Sequence, residues 1–352
     1  MKREREERKE SAISNLRNAY GSSIVQKIED TKKLVMDSPN LNYIFGGGYP
    51  LGRVTEMFGP ESGGKSVLSS YIGGQFQRRE DSDQRIVVYV DIEHTFDQHY
   101  ANNVGLSTDS DQFILIHPLH GEEAFTIVQK FVETREIGLI IWDSTTATPT
   151  AASTEEDYGK KSFGSGALLF SEGLKKLNPY LSRYNTSLNL LTQMRAKIGG
   201  FIRPGMPTDV PSGGGYAPRY YASWRAKVSR GEDIMNGKEV IGNVINIKNT
   251  KSKLAPPKRS AKLNLFYASG FNPDEEYIDF FIKLGIITQK GAWYENIDWG
   301  MRCQGKAAVL SFLKENEELY IREKDHANST FANKSVLDEQ EVDDLFEDES
   351  EE

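Results

Sequence analysis

Cysteine is almost missing: Cys303 is the only one in 352 residues. No intramolecular disulfide can form, so the fold rests on packing alone, and a reducing, cytoplasmic setting is expected. No run of about 18 apolar residues occurs, so no membrane-spanning helix is expected. The opening "MKREREERKE" is dense in charge and has no apolar centre, which argues against a secretory signal. The five histidines, His94, His99, His117, His120 and His326, have no metal-ligand spacing with cysteine. They are expected to be structural or surface groups, with no zinc site. No solenoid-type repeat is found. Basic residues are missing altogether from Val336 to the end, "VLDEQEVDDLFEDESEE", which carries ten acids. Such a block is expected to be a disordered, self-repelling tail. Those ten acids exceed the whole chain's net charge of −8, so residues 1–335 carry about +2. The body can therefore bind a polyanion, and the tail is expected to compete with it.

What is present is a series of short, nearly continuous apolar runs: "RVTEMF", "RIVVYVD", "QFILIH", "GLIIWD" and "SLNLLT". Helical stretches alternate with them, such as 121–136 with Phe125, Val128 and Val132 on one side. The pattern predicts an α/β fold, a mostly parallel sheet flanked by helices and joined by right-handed crossovers. After Thr192 comes "QMRAKIGGFIRPGMPTDVPSGGGYAPR", a long Gly/Pro-rich loop without periodicity. Long loops in compact domains are usually functional. "SWRAKVSRG", "EVIGNVINIKNTK" and "SAKLNLFYA" read as a strand meander. The expected organisation is a helix and short strand ("SSIVQKI") over 1–33, a core over 34–269, a small α/β module over 270–328, and the acidic tail over 329–352.

"GPESGGKS" fits the phosphate-cradling pattern G-x-x-x-x-G-K-[ST] at every required position. Gly59, Pro60, Glu61, Ser62, Gly63 and Gly64 form the loop, and Val67 follows it. The glycines let several N–H groups point at phosphate oxygens. Lys65 would reach the β- and γ-phosphates, and Ser66 would place its hydroxyl on Mg²⁺. Asp143 ends "GLIIWD", where the acid associated with that cation is needed. Glu93, in "VYVDIEHTFD", can polarise the attacking water, with Asp91 as a rival on the same strand end.

Four segments in order, "FGPESGGKS", "VDIEHTFDQHYANNVGL", "LIIWDSTTA" and "LLTQMRAKIG", resemble the RecA recombinase family. The similarity runs from about Leu16 to Asn316 and is closest to the bacterial type, in which phage-encoded versions are included. The resemblance implies an ATP- and Mg²⁺-dependent core of that fold. It implies that Glu93 is the catalytic carboxylate, rather than Asp91, and that Gln193 senses the γ-phosphate. Asp97 and Tyr100 would hold the adenine, Tyr100 by stacking. Tyr267 is a looser nucleotide contact, because Ala268 stands where glycine is usual. Lys251 and Lys253 would reach the neighbouring subunit's ATP; two apart on a strand, they project to one face. "SSIVQKI" and Tyr220 match the surface between protomers, which implies an open helical filament.

The resemblance also implies two DNA-contacting loops, at 152–166 and about 195–213. Arg195, Lys197, Arg203 and Lys175 would meet phosphates, and Gly199, Gly213 and Gly214 would let the backbone approach. Phe163 and Ile198 would wedge between bases. Glu155, Glu156 and Asp157 make the first loop acidic, and Leu168 replaces a usual arginine. The implied function is DNA-dependent ATP hydrolysis with homologous pairing and strand exchange on single- and double-stranded DNA. Single-strand-binding and mediator proteins are the expected partners, and no membrane is. The alternatives are a ring-shaped helicase motor and an ATP-switched DNA-binding regulator.

Overall fold

The structure is a computed structural model and describes residues 2–20, 31–81, 84–155, 164–194, 215–256 and 258–333. Two units are distinguished, Met1–Lys32 and Lys33–Glu352. In the first, helix α1 spans Lys2–Tyr20. The expected strand "SSIVQKI" lies outside the described residues.

The second unit opens with strand β1 (Lys33–Leu34), which pairs antiparallel with β2 (Tyr49–Pro50). Between them lies helix α2 (Pro39–Phe45), which has no counterpart among the expected elements. Its start and stop signals are nonetheless present. The Ser38 side chain accepts from the Leu41 N–H, Pro39 occupies the first turn, and Gly46 closes the helix at φ 75°.

The alternation of strand and helix follows: β3 (Val54–Gly59), α3 (Lys65–Gln77), β4 (Ile86–Asp91), α4 (Gln98–Asn103), β5 (Phe113–Ile116), α5 (Gly121–Thr134) and β6 (Ile137–Asp143). After the short α6 (Ala151–Glu155) come α7 (Ser165–Tyr184) and β7 (Ser187–Gln193). Helix α8 (Ala217–Tyr221) precedes the meander β8 (Trp224–Asn236), β9 (Glu239–Ser252), β10 (Ser260–Phe266) and β11 (Gly270–Phe271). All nine strands from β3 to β11 form one sheet in the order β11-β10-β9-β8-β3-β7-β6-β4-β5. Pairing is parallel from β8 to β5 and antiparallel from β8 to β11.

Each face of the sheet is covered by its own apolar layer. One contains Leu68, Ile72 and Phe76 of α3 with Leu139 and Ile141 of β6. The other contains Val128 of α5 and Phe170, Leu174 and Leu177 of α7 with Ile140 and Trp142. Successive β6 residues thus enter opposite layers, so every position of that strand is buried.

The remaining chain forms α9 (Pro273–Lys283), the antiparallel sheet β12 (Thr288–Lys290), β13 (Trp293–Asn296) and β14 (Met301–Gln304), then α10 (Lys306–Glu315) and α11 (Glu317–Asn333). These surround a third core of Tyr277, Phe281, Val309, Leu313 and Tyr320, joined by Tyr43 from α2. Two expected boundaries shift. Gly270 and Phe271 still belong to the large sheet, because they pair with β10. Helix α11 runs to Asn333, past the expected start of a disordered tail at 329. Its Ala327 is buried in the third core, and the helix continues six residues further. Residues 334–352 lie outside the described part.

Candidate active site

Adjacent parallel strands end together at the carboxyl edge of the sheet. The register sets Gly59 beside Gln193, and Asp91 beside Asp143. In open parallel sheets, loops leaving this edge form the ligand crevice. Here they enclose a cavity of about 820 Å³, lined by Glu61 to Val67, Glu93, Tyr100, Asp143, Gln193 and Tyr267 among others.

The glycine loop turns where no larger residue fits. A Cβ on Gly59 would lie 1.9 Å from the Val228 carbonyl oxygen. Gly64 starts α3 at φ 92°, a left-handed conformation that L-residues avoid. Helix α3 therefore begins at Lys65 with its first N–H groups facing the cavity, an arrangement suited to anions. The Lys65 ammonium donates to the carbonyls of Pro60 (2.6 Å) and Gly59 (3.2 Å). Burial pushes its pKa down, against the pull of Asp143, Glu93 and Glu61.

Asp143 is 7% exposed. One oxygen, Oδ2, accepts from Ser66 Oγ at 2.6 Å and from Tyr89 OH at 2.7 Å. Burial raises its pKa, and those two hydroxyls oppose the rise. Among the described residues there is no group of three or more His, Cys, Asp or Glu able to enclose a metal. One hydroxyl and one carboxylate instead suit a Mg²⁺ ion that keeps most of its ligands as water and substrate phosphate.

Glu93 lies beyond the end of β4. Its Oε1 accepts from Gln193 Nε2 at 2.6 Å and from Ser144 Oγ. Its rival Asp91 is occupied differently: buried, it accepts from the backbone N–H groups of Thr95 and Phe96 and so shapes the loop that carries Glu93. Elsewhere in the cavity wall stand Tyr100 and Tyr267. Burial and Tyr267 together raise the Tyr100 pKa. Arg230 Nη2 donates to Tyr267 OH (2.9 Å) and to Asp233 Oδ1 (2.7 Å). Asn243 and Leu265 complete this wall. Two aromatic faces and a buried amide can receive a flat ring with polar edges.

The sequence pattern of the RecA N-terminal domain matches residues 7–272. The chain belongs to the RecA family. It is 32% identical over 325 residues to Protein RecA of Staphylococcus epidermidis, covering 91% of this chain and 90% of that one. Protein RecA of Staphylococcus carnosus is 33% identical over 325 residues, with 91% and 88% covered. For Staphylococcus aureus the alignment spans 358 residues at 32% identity, with 97% and 100% covered.

Within this RecA-family chain, Lys65, Ser66, Val67, Glu93, Tyr100, Asp143, Gln193 and Tyr267 share one cavity with Glu61, Ser62, Gly63 and Gly64. Gly59 and Pro60 border it through the carbonyls that hold Lys65. Asp97 does not line it. Its carboxylate caps α4 by accepting from the Tyr100 N–H at 2.8 Å, so it acts on the backbone that carries Tyr100. Lys251 and Lys253 are also elsewhere. Lys251 pairs with Arg225, and Arg225 with Glu56, three residues before Gly59. That is about 10 Å back along the strands from the glycine loop. The Lys251 ammonium donates to the carbonyls of Arg219 (2.5 Å) and Tyr220 (3.2 Å). Burial and then Lys253 push its pKa down.

Lys175 is exposed on α7, opposite the buried Leu174 and Leu177. Phe163, Arg195, Lys197, Ile198, Gly199, Arg203, Gly213 and Gly214 lie outside the described residues. Among the histidines, His120 caps α5, and the rings of His94 and His117 stack at 4.9 Å. Sequence reasoning missed Tyr89, Ser144, Arg230 and Asn243. Ser144 had a signal, since it directly follows Asp143. Tyr89 is hidden in an apolar strand, and Arg230 and Asn243 in a meander whose polar face reads as solvated surface.

Proposed function

We propose that this RecA-family recombinase hydrolyses ATP while assembled as a helical filament on single-stranded DNA, and pairs that strand with homologous duplex. The observation that carries the reading is the meeting of Glu93 and Gln193 beside Lys65, Ser66 and Asp143. A carboxylate is thereby held where a water can attack a phosphate seated in the glycine loop.

The helix N-terminus and Lys65 bind the triphosphate, and Ser66 with Asp143 holds the Mg²⁺ that neutralises its charge. Glu93 takes a proton from the attacking water. The water oxygen bonds to the γ-phosphorus, the bond from that phosphorus to the bridging oxygen breaks, and ADP leaves with both electrons. Gln193 ends β7 and leads into the Gly/Pro-rich loop, so a change in its hydrogen bonding reaches a segment expected to touch DNA. Lys251 and Lys253, remote from their own protomer's cavity, act on the next protomer's ATP. Asp97 supports the base pocket by fixing the start of α4.

ATP turnover measured with and without single-stranded DNA, alongside strand exchange with homologous and heterologous duplex, tests the proposal. Stimulated turnover and exchange with homologous DNA alone are expected. Turnover indifferent to DNA would refute it. No observation favours the ring motor or the ATP-switched regulator.

A further inference from the structure

The two donors to Glu93 Oε1 are built very differently. Gln193 is the last residue of β7, half-buried, and its amide can turn to another acceptor. Ser144 is fully buried and directly follows β6. Its carbonyl accepts from Thr148 Oγ1 at 2.8 Å, and that hydroxyl accepts from the indole N–H of Trp142 at 3.0 Å. Trp142 is itself fully buried against Phe125 and Phe170. A hydroxyl carries one proton. Ser144 commits it to Glu93, while its oxygen lies 3.4 Å from the Ala147 N–H.

One donor is thus anchored in the core and the other sits at a strand end. We infer that Ser144 is the positioning residue of the general base. It holds Glu93 by Oε1 when Gln193 turns toward the phosphate, and so keeps the other carboxylate oxygen for the proton of the attacking water. Without it, engagement of Gln193 by the nucleotide would release the base at the moment it is needed. An anchored hydrogen bond to a catalytic carboxylate is worth most when it fixes orientation, because small misplacements of a reacting group cost large factors in rate. The inference rests on Glu93 being the base.

The experiment uses the full chain with Mg²⁺-ATP and single-stranded DNA, and compares Ser144→Ala, Ser144→Thr and Glu93→Gln. Ser144→Ala should lower kcat about 10- to 100-fold while KM for ATP stays within about 2-fold. Ser144→Thr, which keeps the hydroxyl, should recover most of the loss. Filament formation, followed by light scattering, should be retained in both. If Ser144→Ala turns over within about 2-fold of the parent while Glu93→Gln does not, the positioning role is wrong. It is equally overturned if the alanine and threonine variants lose kcat, raise KM and fail to assemble together, since that describes a packing role. If Glu93→Gln itself retains turnover, the assignment of the base falls instead, and the two failures are distinguishable.

Discussion

The two halves of the nine-stranded sheet differ in how they hide polar groups. In β3, β7, β6 and β4 nearly every residue is buried, because helices cover both faces. In β9 and β10 buried and accessible residues alternate. A charged side chain in the first half is costly except at a strand end. That is where Asp143, Gln193 and the glycine loop sit. In the second half a polar side chain is tolerated along the whole strand. Lys251, Asn243 and Arg230 accordingly look, in sequence, like any solvated residue. The parallel half sets Asp143 and Gln193 at its edge, and the antiparallel half places Arg230, Asn243 and Lys251 along its strands.

The sharpest test of that contrast is Lys65→Ala. ATP turnover should fall by at least about a hundredfold, since Arg230, the other cation among the described lining residues, is held by Asp233 and Tyr267. Retained turnover would undo the assignment of the edge. Next in size is Lys251→Ala with Lys253→Ala, expected to cost turnover strongly while nucleotide binding by the free protomer persists. Mixing this variant one-to-one with Lys65→Ala should restore activity at about a quarter of the interfaces, where an intact loop meets intact lysines. No recovery, measured as ATP turnover of the mixture, would mean that the lysines do not act across the interface.

A third test probes the junction of sheet and C-terminal module. Glu276 of α9 is buried and accepts from Ser38 Oγ at 2.5 Å and the Asn40 N–H at 3.4 Å. Its other oxygen and the hydroxyl of Tyr71 are buried without a hydrogen-bond partner among the described residues. Burial pushes its pKa from 4.5 to about 8. The folded state therefore binds the extra proton, so stability is full below about pH 4.5 and is lost progressively as pH rises toward 8. Glu276→Gln should remove this slope, worth on the order of a few kcal/mol, as read from urea midpoints across that range. A slope unchanged by the substitution would rule out Glu276 as its source. Smallest is Tyr267→Phe, which keeps the ring but loses the acceptor for Arg230. It should raise KM for ATP about 2- to 3-fold with kcat unchanged, because an exposed hydrogen bond contributes little. An altered kcat would place Tyr267 closer to the chemistry.

Legibility follows the same division. The strand ends at Gly59, Asp143 and Gln193 were readable because apolar runs point to them. Helix α2 was passed over although Ser38, Pro39 and Gly46 mark both ends, because the following glycines dominate the stretch. Asp97 is expected to hold the adenine, and its Oδ1 in addition caps α4 by accepting from the Tyr100 N–H, a contact that the sequence did not announce. Which donor a carboxylate meets depends on the turn geometry around it.

Order and periodicity along the chain determined that an α/β sheet would carry a phosphate loop at its edge. Burial is a property of local composition, and a run of apolar residues reports it directly. Only the tertiary structure decided that Ser144 and Gln193 share one oxygen of Glu93, that Tyr89 reaches Asp143, and that Lys251 lies away from its own cavity. Those contacts join residues dozens of positions apart, and their distances depend on register and strand order.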